Sequence, residues 1–460
     1  MVFYDEPKMS KLSCIILAAG KGTRMKSDRP KVMHGLAGMP LIRHVVNTCQ
    51  SLNASQIVTV IAKGMDDVAT TVAPFETAIQ KKQLGTADAA KSALPHLKSK
   101  RGHVLILLGD VPMISKATLK ALWDAGKKTG LAVLAMRAEN PHGYGRLITD
   151  KGNVIAIVEQ ADLSPKHEDI DLVNAGCFCV AADRIEDWLN AIGNKNRQRE
   201  FYLTDIVTAA AKDKVKCAFV EAPAHELLGI NSRAQLAQAE WTMQTRLRDA
   251  ALANGATMID PSTVYLSADT VIGRDVVIEP NVFFGPGVTI ADNVTIHAFT
   301  HIEGAAIAAG ASIGPFARIR PKSKIGAKAT IGNFVEVNRS NIKAGAKSKH
   351  MSYLGDAVVG AKSNIGAGTV IANYDGFDKQ DTIIGDRVFI GSNATLIAPL
   401  TIGSGAYVAA ASAITTSVPD DALAVARTRE VMRDGWANEY RAKKETAKAA
   451  RIPTKKGKKK

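Results

Sequence analysis

Apolar and polar positions along the first 230 residues alternate between two textures. Short apolar runs at Ser13–Ala18, Gln56–Ala62, His103–Leu108, Leu131–Arg137 and Gly176–Val180 read as buried strands. Between them lie stretches with helical spacing, among them Pro40–Ser51 and Gly85–Leu94. This alternation predicts an α/β domain around a mostly parallel sheet, with ligands bound beyond the carboxyl ends of its strands. The loops after Leu17 and Leu108 lie at such ends. Residues 232–254 are dense in Ala, Gln, Arg and Leu, with Ser232 placed to cap a helix start and Gly255 its end. They predict one long helix linking two domains.

From Val271 the apolar period changes to six. Aliphatic-plus-small units start at Ile272, Ile278, Phe284, Ile290, Ile296 and Ile302, slip to Ile307, and resume at Ile313, Ile319, Ile325, Ile331 and Val337. The phase returns at Val359, Ile365 and Ile371, then from Ile384 to Ile414. A repeat of this length is the signature of a parallel β-helix, with the aliphatic residue pointing inward and small residues turning the corners. Known hexapeptide β-helices are left-handed, an exception to the right-handed crossover rule. Two stretches break the period, Asn338–Val358 and Tyr374–Ile383. Both read as loops that leave the solenoid on one face, where binding residues collect.

A length of 460 residues supports this division into more than one domain. The expected boundaries are 1–231 for the α/β domain, 232–254 for the helix, 255–440 for the β-helix and 441–460 for a basic disordered tail. That tail holds ten Lys/Arg and one Glu, so it carries +9 of the net charge of +15. No aromatic stacking pattern accompanies it, which argues against a nucleic-acid-binding protein. No apolar run approaches the length of a membrane span. The start, "MVFYDEPKMSK", lacks the n- and h-regions of a signal peptide, and a cytoplasmic protein is expected. Five scattered cysteines, with Cys177 and Cys179 in an apolar run, read as buried strand residues rather than metal ligands.

The first candidate site is "LAAGKGTRMKSDRPK". Gly20-Lys21-Gly22-Thr23 fails the Walker spacing, and Met25 stands where a dinucleotide fingerprint needs its third glycine. What remains is a glycine loop that admits phosphate oxygens to backbone N–H groups, with Arg24 and Lys31 to neutralise a triphosphate and its departing pyrophosphate. Asp110, after Gly109 at a strand end, is a natural Mg²⁺ ligand. The second site is "KHMSYLGD", in which a neutral His350 would serve as general base toward an amine. Tyr353, Asn364 and "ANYDG" also fall at breaks in the repeat.

"LAAGKGTRMKSDRPK", "QLGTADAA", "GDVP", "NPHGYGRL", "IVEQAD", "LVNAG", "FYLTDIV" and "GINSRAQL" resemble the sugar-nucleotide pyrophosphorylases, whose nucleotidyltransferase domain is Rossmann-like. With the hexapeptide domain that follows, residues 11 to 437 are similar to one bacterial bifunctional family. Its members acetylate glucosamine 1-phosphate from acetyl-CoA, then uridylylate the product with UTP to give UDP-N-acetylglucosamine for the cell wall. An alternative keeps the nucleotidyltransferase and leaves the β-helix only to assemble or regulate.

The resemblance implies that Leu17, Ala18, Ala19, Gly20, Lys31, Gln80, Gly85, Thr86, Leu108 and Gly109 line the UTP site. It implies that Asp110 and Asn231 hold Mg²⁺, and that Gly145, Glu159 and Asn174 hold N-acetylglucosamine. In the second site Arg320, Asn338, Tyr353 and Asn364 correspond to sugar-phosphate ligands. His350 corresponds to the base, and Glu336 to a carboxylate near the amine. Ala367, Asn373, Tyr374, Ser392, Ala410 and Arg427 correspond to acetyl-CoA contacts. A homotrimer is also implied. Two departures stand out. Ala87 and Asp88 occupy places where the family often has Gly and His. Asn338 stands where a phosphate-binding lysine is usual, and strand alternation would point the neighbouring Arg339 to the opposite side.

Overall fold

The computed structural model describes residues 12–450. The N-terminal segment read above as no signal peptide lies outside that range, as do residues 451–460 of the tail. The chain divides into two units, up to Ala327 and from Lys328 onward.

In the first unit nine strands form one sheet. They are β1 (Leu12–Leu17), β2 (Gln56–Ala62), β3 (Glu76–Gln80), β4 (His103–Leu108), β5 (Leu131–Arg137), β6 (Arg146–Asp150), β7 (Asn153–Val158), β8 (Leu172–Ala181) and β9 (Cys217–Glu221). Their order is β3-β2-β1-β4-β8-β5-β9-β7-β6. β3, β2, β1 and β4 are parallel. β8 runs antiparallel between β4 and β5, so the sheet is mixed rather than mostly parallel. The cause is connectivity. A parallel neighbour needs a crossover, usually helical. Between β5 and β8, from Arg137 to Leu172, the chain holds only the β6–β7 hairpin and short 3-10 turns, with no α-helix. Strands β3, β6 and β9 are five residues each and mix in polar residues, so they do not stand out as apolar runs, whereas the run at residues 154–158 of β7 was legible and is missing from the strands expected above.

Helices α1 (Leu41–Ser51), α2 (Thr86–Ala93) and α3 (Lys116–Thr129) cover the sheet, whose central strands are almost wholly buried. All five cysteines are free and buried. Burial pushes the Cys177 and Cys179 thiols up to about 12, as expected of apolar strand residues.

Helix α4 (Arg233–Ala253) is the expected long helix. Ser232 accepts from the Gln235 amide at 3.2 Å. At the other end Gly255 N donates to Leu252 O at 3.0 Å and Ala256 N to Ala251 O at 3.1 Å, a Schellman closure. α4 is not a free linker. Met243 is buried with Leu36, Leu41, Met113 and Ile230. Glu240 accepts from Ala37 N at 2.7 Å, and Gln244 both donates to Leu266 O and accepts from its amide. The first β-helix coils therefore pack with the α/β domain through α4, and the compact division falls inside the repeat rather than near 231–255.

Within each unit the repeat builds three parallel sheets of very short strands, the arrangement of a parallel β-helix and consistent with a left-handed one. Each coil stacks on the next with its aliphatic residue in register: Ile278 on Ile296 and Ile313 in the first unit, Ile365 on Ile390 and Val408 in the second. Asn338–Val358 does not leave the solenoid. It forms strands Asn341–Ile342, Lys347–His350, Tyr353–Gly355 and Ala357–Val359, with Ile342, Ser348 and Leu354 pointing inward. A buried serine and two five-residue slips hide the period there. His350 therefore sits at a strand end rather than on an inserted loop. Only the second break is a true excursion, with Phe377 at its tip 93% exposed. The corners are turned largely by residues with positive φ, bulky ones such as Phe299 and Met351 among them, and not by small residues alone. The tail is helical as far as Ala450, in a fully exposed helix α5 (Trp436–Ala450), so residues 441–450 correct the expectation of disorder. Its Ala, Lys and Glu content favours helix despite the charge.

Candidate active sites

In the first unit β1 and β4 are in register from Leu12/His103 to Leu17/Leu108, so their loops emerge side by side. Gly109 N donates to Leu17 O at 2.9 Å. Two cavities adjoin at this edge and share Thr86, Leu108 and Asp110. One, of about 470 Å³, is lined by Leu17, Ala18, Ala19, Gly20, Lys31, Gln80 and Gly85. The other, of about 330 Å³, is lined by Arg24, Gly145, Glu159, Asn174 and Asn231. The expected residues thus separate into two groups that meet at Asp110. Arg24, expected beside Lys31 at a triphosphate, lines the other cavity.

Gly22, with φ +62°, is needed where it stands, because a Cβ there would lie 2.6 Å from Lys31 Cβ. Removing that bulk lets the Lys31 side chain cross the loop. Its ammonium contacts Asp110 Oδ2 directly and Asn231 Oδ1 at 2.9 Å. Asn231 precedes the α4 cap, and its amide is held by Gln235 Oε1 at 2.8 Å. Two hard oxygens from distant parts of the chain converge on one positive charge. That donor set fits Mg²⁺, which takes one or two protein oxygens and completes its shell with substrate phosphates and water.

Gly85 has φ +127°, and a Cβ there would strike Phe201 O at 2.5 Å. The buried Gln80 donates its Nε2 to Gly85 O at 3.1 Å and to Asp88 Oδ2 at 2.8 Å. In the second cavity Asn174 N donates to Gly145 O at 2.8 Å, and Glu159 Oε1 accepts from Thr204 at 3.0 Å. A register shift in β8 between Asn174 and Phe178 re-aims Asn174. Burial raises the Glu159 carboxyl above its usual range.

In the second unit His350 Nδ1 lies 2.8 Å from Asn333 Oδ1, one coil earlier in register. An amide oxygen only accepts, so Nδ1 is the donor, and Nε2 is the nitrogen with the lone pair in the neutral ring. Glu336 and Tyr353 are in register on the next sheet, and Tyr353 Oη lies 3.5 Å from Asn338 Nδ2. Asn364 pairs with Lys347 rather than with His350. Ala367, Ser392 and Ala410 stack as a corner column on successive coils, marked by the Asn393 N to Ala367 O and Ala411 N to Ser392 O bonds. Asn373 opens the excursion, and Tyr374 is exposed with its hydroxyl on Gly376 O at 2.6 Å. Arg427 lies on the exposed segment after Leu423–Ala424. Arg320 follows Arg318–Ile319 in the first unit.

Arg339 departs from alternation. It sits at a corner with φ +49°, beyond the strand Glu336–Asn338. Its guanidinium turns back to Asn338 Oδ1 at 3.3 Å and grips Asp356 through Nε and Nη2. Asn333 and Asp356 are not among the sequence candidates, and Asp88 is there only as a departure from the family pattern. The coil length was the available signal for the first two: Asn333 precedes His350, and Arg339 precedes Asp356, by 17 residues.

Comparison with known proteins adds an independent line. The MobA-like NTP transferase domain matches residues 14–202, the bacterial transferase hexapeptide (six repeats) matches 269–304, and the GMPPB C-terminal domain matches 301–402. A Paramagnetospirillum magneticum protein named bifunctional protein GlmU is 47% identical over 96% of this chain and 99% of its own length. The chain belongs to the GlmU family. Proteins of the same name from Parvibaculum lavamentivorans and Maricaulis maris are 50% and 51% identical, each over 95% of this chain and 98% of its own. The match to GlmU proteins runs through both units, so neither candidate site lies outside it.

Proposed function

We infer that the chain makes UDP-N-acetylglucosamine by two reactions at separate sites. Acetyl-CoA first acetylates glucosamine 1-phosphate in the β-helix, and UTP then uridylylates the product in the α/β domain. The observation that carries the second reaction is the pair of adjoining cavities sharing Asp110. A nucleotide fits one and a sugar the other, which brings the sugar 1-phosphate in line with the α-phosphate. A phosphate oxygen attacks the α-phosphorus, and pyrophosphate leaves toward Lys31. Mg²⁺, held by Asp110 and Asn231, would neutralise phosphate charge when bound. With Asp110 and Asn231 so engaged, the Lys31 ammonium would turn to the phosphates. Glu159 and Asn174 supply polar groups to sugar hydroxyls and the acetamido group.

In the β-helix His350 Nε2 takes a proton from the amine, whose nitrogen attacks the thioester carbonyl. The C–S bond then breaks and CoA thiolate leaves. The oxyanion is stabilised by backbone amides near Asn373. The His350–Asn333 pair supports this reading over a β-helix that only assembles. The need for UTP and acetyl-CoA supports a cytoplasmic location. The flat β-helix faces support a homotrimer, to be checked by analytical ultracentrifugation. A coupled assay with acetyl-CoA, UTP and glucosamine 1-phosphate tests the whole reading. Free thiol and pyrophosphate should both appear, the second only after the first. Pyrophosphate formed with N-acetylglucosamine 1-phosphate but no thiol from glucosamine 1-phosphate would return the β-helix to an assembly role.

The Gln80 contacts add a specificity device. Gly85 O and Asp88 occupy the donor side of its amide, so Oε1 faces the base as an acceptor. Uracil offers N3–H there and cytosine a lone pair. Asp88→Asn frees the amide to rotate and is expected to lower the UTP-over-CTP ratio of kcat/KM about tenfold. Steady-state rates with both nucleotides check this, and an unchanged ratio removes Asp88 from base selection.

A further inference from the structure

We propose that Arg339 is a cation that binds the phosphate of glucosamine 1-phosphate in the acetyltransferase site, and that Asp356 positions it. This rests on the acetyl-transfer reading above. Residues 339, 356 and 373 follow three stacked strands, Glu336–Asn338, Tyr353–Gly355 and Val370–Ala372, and form one corner column. Asp356 stands in the middle. Its side chain is only 11% exposed, takes Arg339 Nη2 at 2.6 Å and also receives the Asn373 amide. The Arg339 guanidinium beside it holds the Asp356 carboxyl below the usual carboxylate range, so the pair stays ionised at neutral pH.

The remaining geometry is that of an anion receptor. Arginine has five N–H donors. Nε and Nη2 each give one to Asp356, and Nη1 gives one to Asn338. One hydrogen on each terminal nitrogen is left without a partner among the described residues, a fork suited to two phosphate oxygens. The fork lies beside Asn338 and Tyr353, which carry no positive charge at neutral pH. The guanidinium is 29% exposed, so solvent and ligand reach it. A residue at this corner reaches the Asn338 side only because its φ is positive, which is why alternation missed it. The same column ends at Asn373, where the excursion begins, so Asp356 ties the phosphate cation to the proposed acetyl-CoA side.

The test uses the full chain. Arg339→Gln should raise KM for glucosamine 1-phosphate about 10- to 100-fold, leave KM for acetyl-CoA within about twofold, and leave uridylyl transfer unchanged. Turnover of glucosamine, which lacks the phosphate, should not change. Arg339→Lys should recover part of the loss, because it keeps the charge and not the fork. The pair Arg339→Gln/Asp356→Asn removes the carboxylate stranded by the first change, and should show the same KM defect without a folding defect. An unchanged sugar-phosphate KM, or an equal rise for glucosamine, overturns the proposal. Calorimetric titration with glucosamine 1-phosphate alone separates it from the parent reading. A wild type that binds the ligand without consuming acetyl-CoA refutes acetyl transfer, and Arg339 is then judged by whether its variant loses that binding. A wild type that binds no sugar phosphate overturns both.

Discussion

Replacing His350 with alanine abolishes measurable acetyl transfer, a loss of about 10²- to 10⁴-fold, the usual contribution of a general base. It leaves uridylyl transfer at the wild-type rate. The size follows from the geometry. Asn333 Oδ1 accepts from Nδ1 and so leaves Nε2 of the neutral ring as the proposed base. Alanine removes the acceptor without opening a core, because His350 is exposed. The measurement is thiol release from acetyl-CoA with glucosamine 1-phosphate, beside pyrophosphate release from UTP with N-acetylglucosamine 1-phosphate. Equal loss of both rates would count against two separate sites. Asn333→Ala is a milder companion. It frees the tautomer, so acetyl transfer should fall about tenfold and the pH–rate profile should shift. A change in thermal stability alone would make Asn333 merely structural.

The mirror result is expected for Asp110→Ala. Uridylyl transfer falls at least about 10²- to 10³-fold, the scale of losing one preorganised electrostatic contact, while acetyl transfer persists. Asp110 sits where the two cavities meet, and its carboxylate already holds a cation, the Lys31 ammonium. Removing it takes away the proposed Mg²⁺ ligand and leaves Lys31 with Asn231 as its remaining partner. Mn²⁺ binding followed by electron paramagnetic resonance should weaken in parallel with the rate. Metal-dependent UTP turnover at the wild-type level in the variant would remove Asp110 as a ligand.

Much of this was legible along the chain. Strands β2, β4 and β5 have the boundaries that their apolar runs predict, since buried parallel strands are nearly continuous in apolar residues. Helix α4 starts where Ser232 caps it, because capping is a local interaction between a side chain and an amide three residues on. The period of six exposed the β-helix, since every inward position must be filled in register with the coil below. The glycine loop and Asp110 stand out in the sequence as a candidate phosphate and metal site, and the structure brings them to two adjoining cavities.

Other features depended on contacts that the linear order does not carry. Lys31, Asp110 and Asn231 are far apart in sequence and converge because the segment ahead of α4 is held against the loop after β4, with Ile230 N on Asp110 O. β8 is antiparallel because of how it is connected, which an apolar run does not encode. The coil from Asn338 to Val358 looked like an inserted loop because Ser348 fills an inward position usually given to an aliphatic residue. Its true place is fixed by the coils on either side. Arg339 shows the same limit at one residue. Alternation puts its side chain on the wrong face, and the positive φ of a solenoid corner, set by the stacking of Asp356 and Asn373 above it, turns it toward the candidate site. The sequence by itself determined the two architectures and named the candidate reactive residues, because periodicity and residue chemistry are local. Which of those residues meet, and which partners orient them, was decided by tertiary structure, because only stacking and docking set distances between segments remote in the chain.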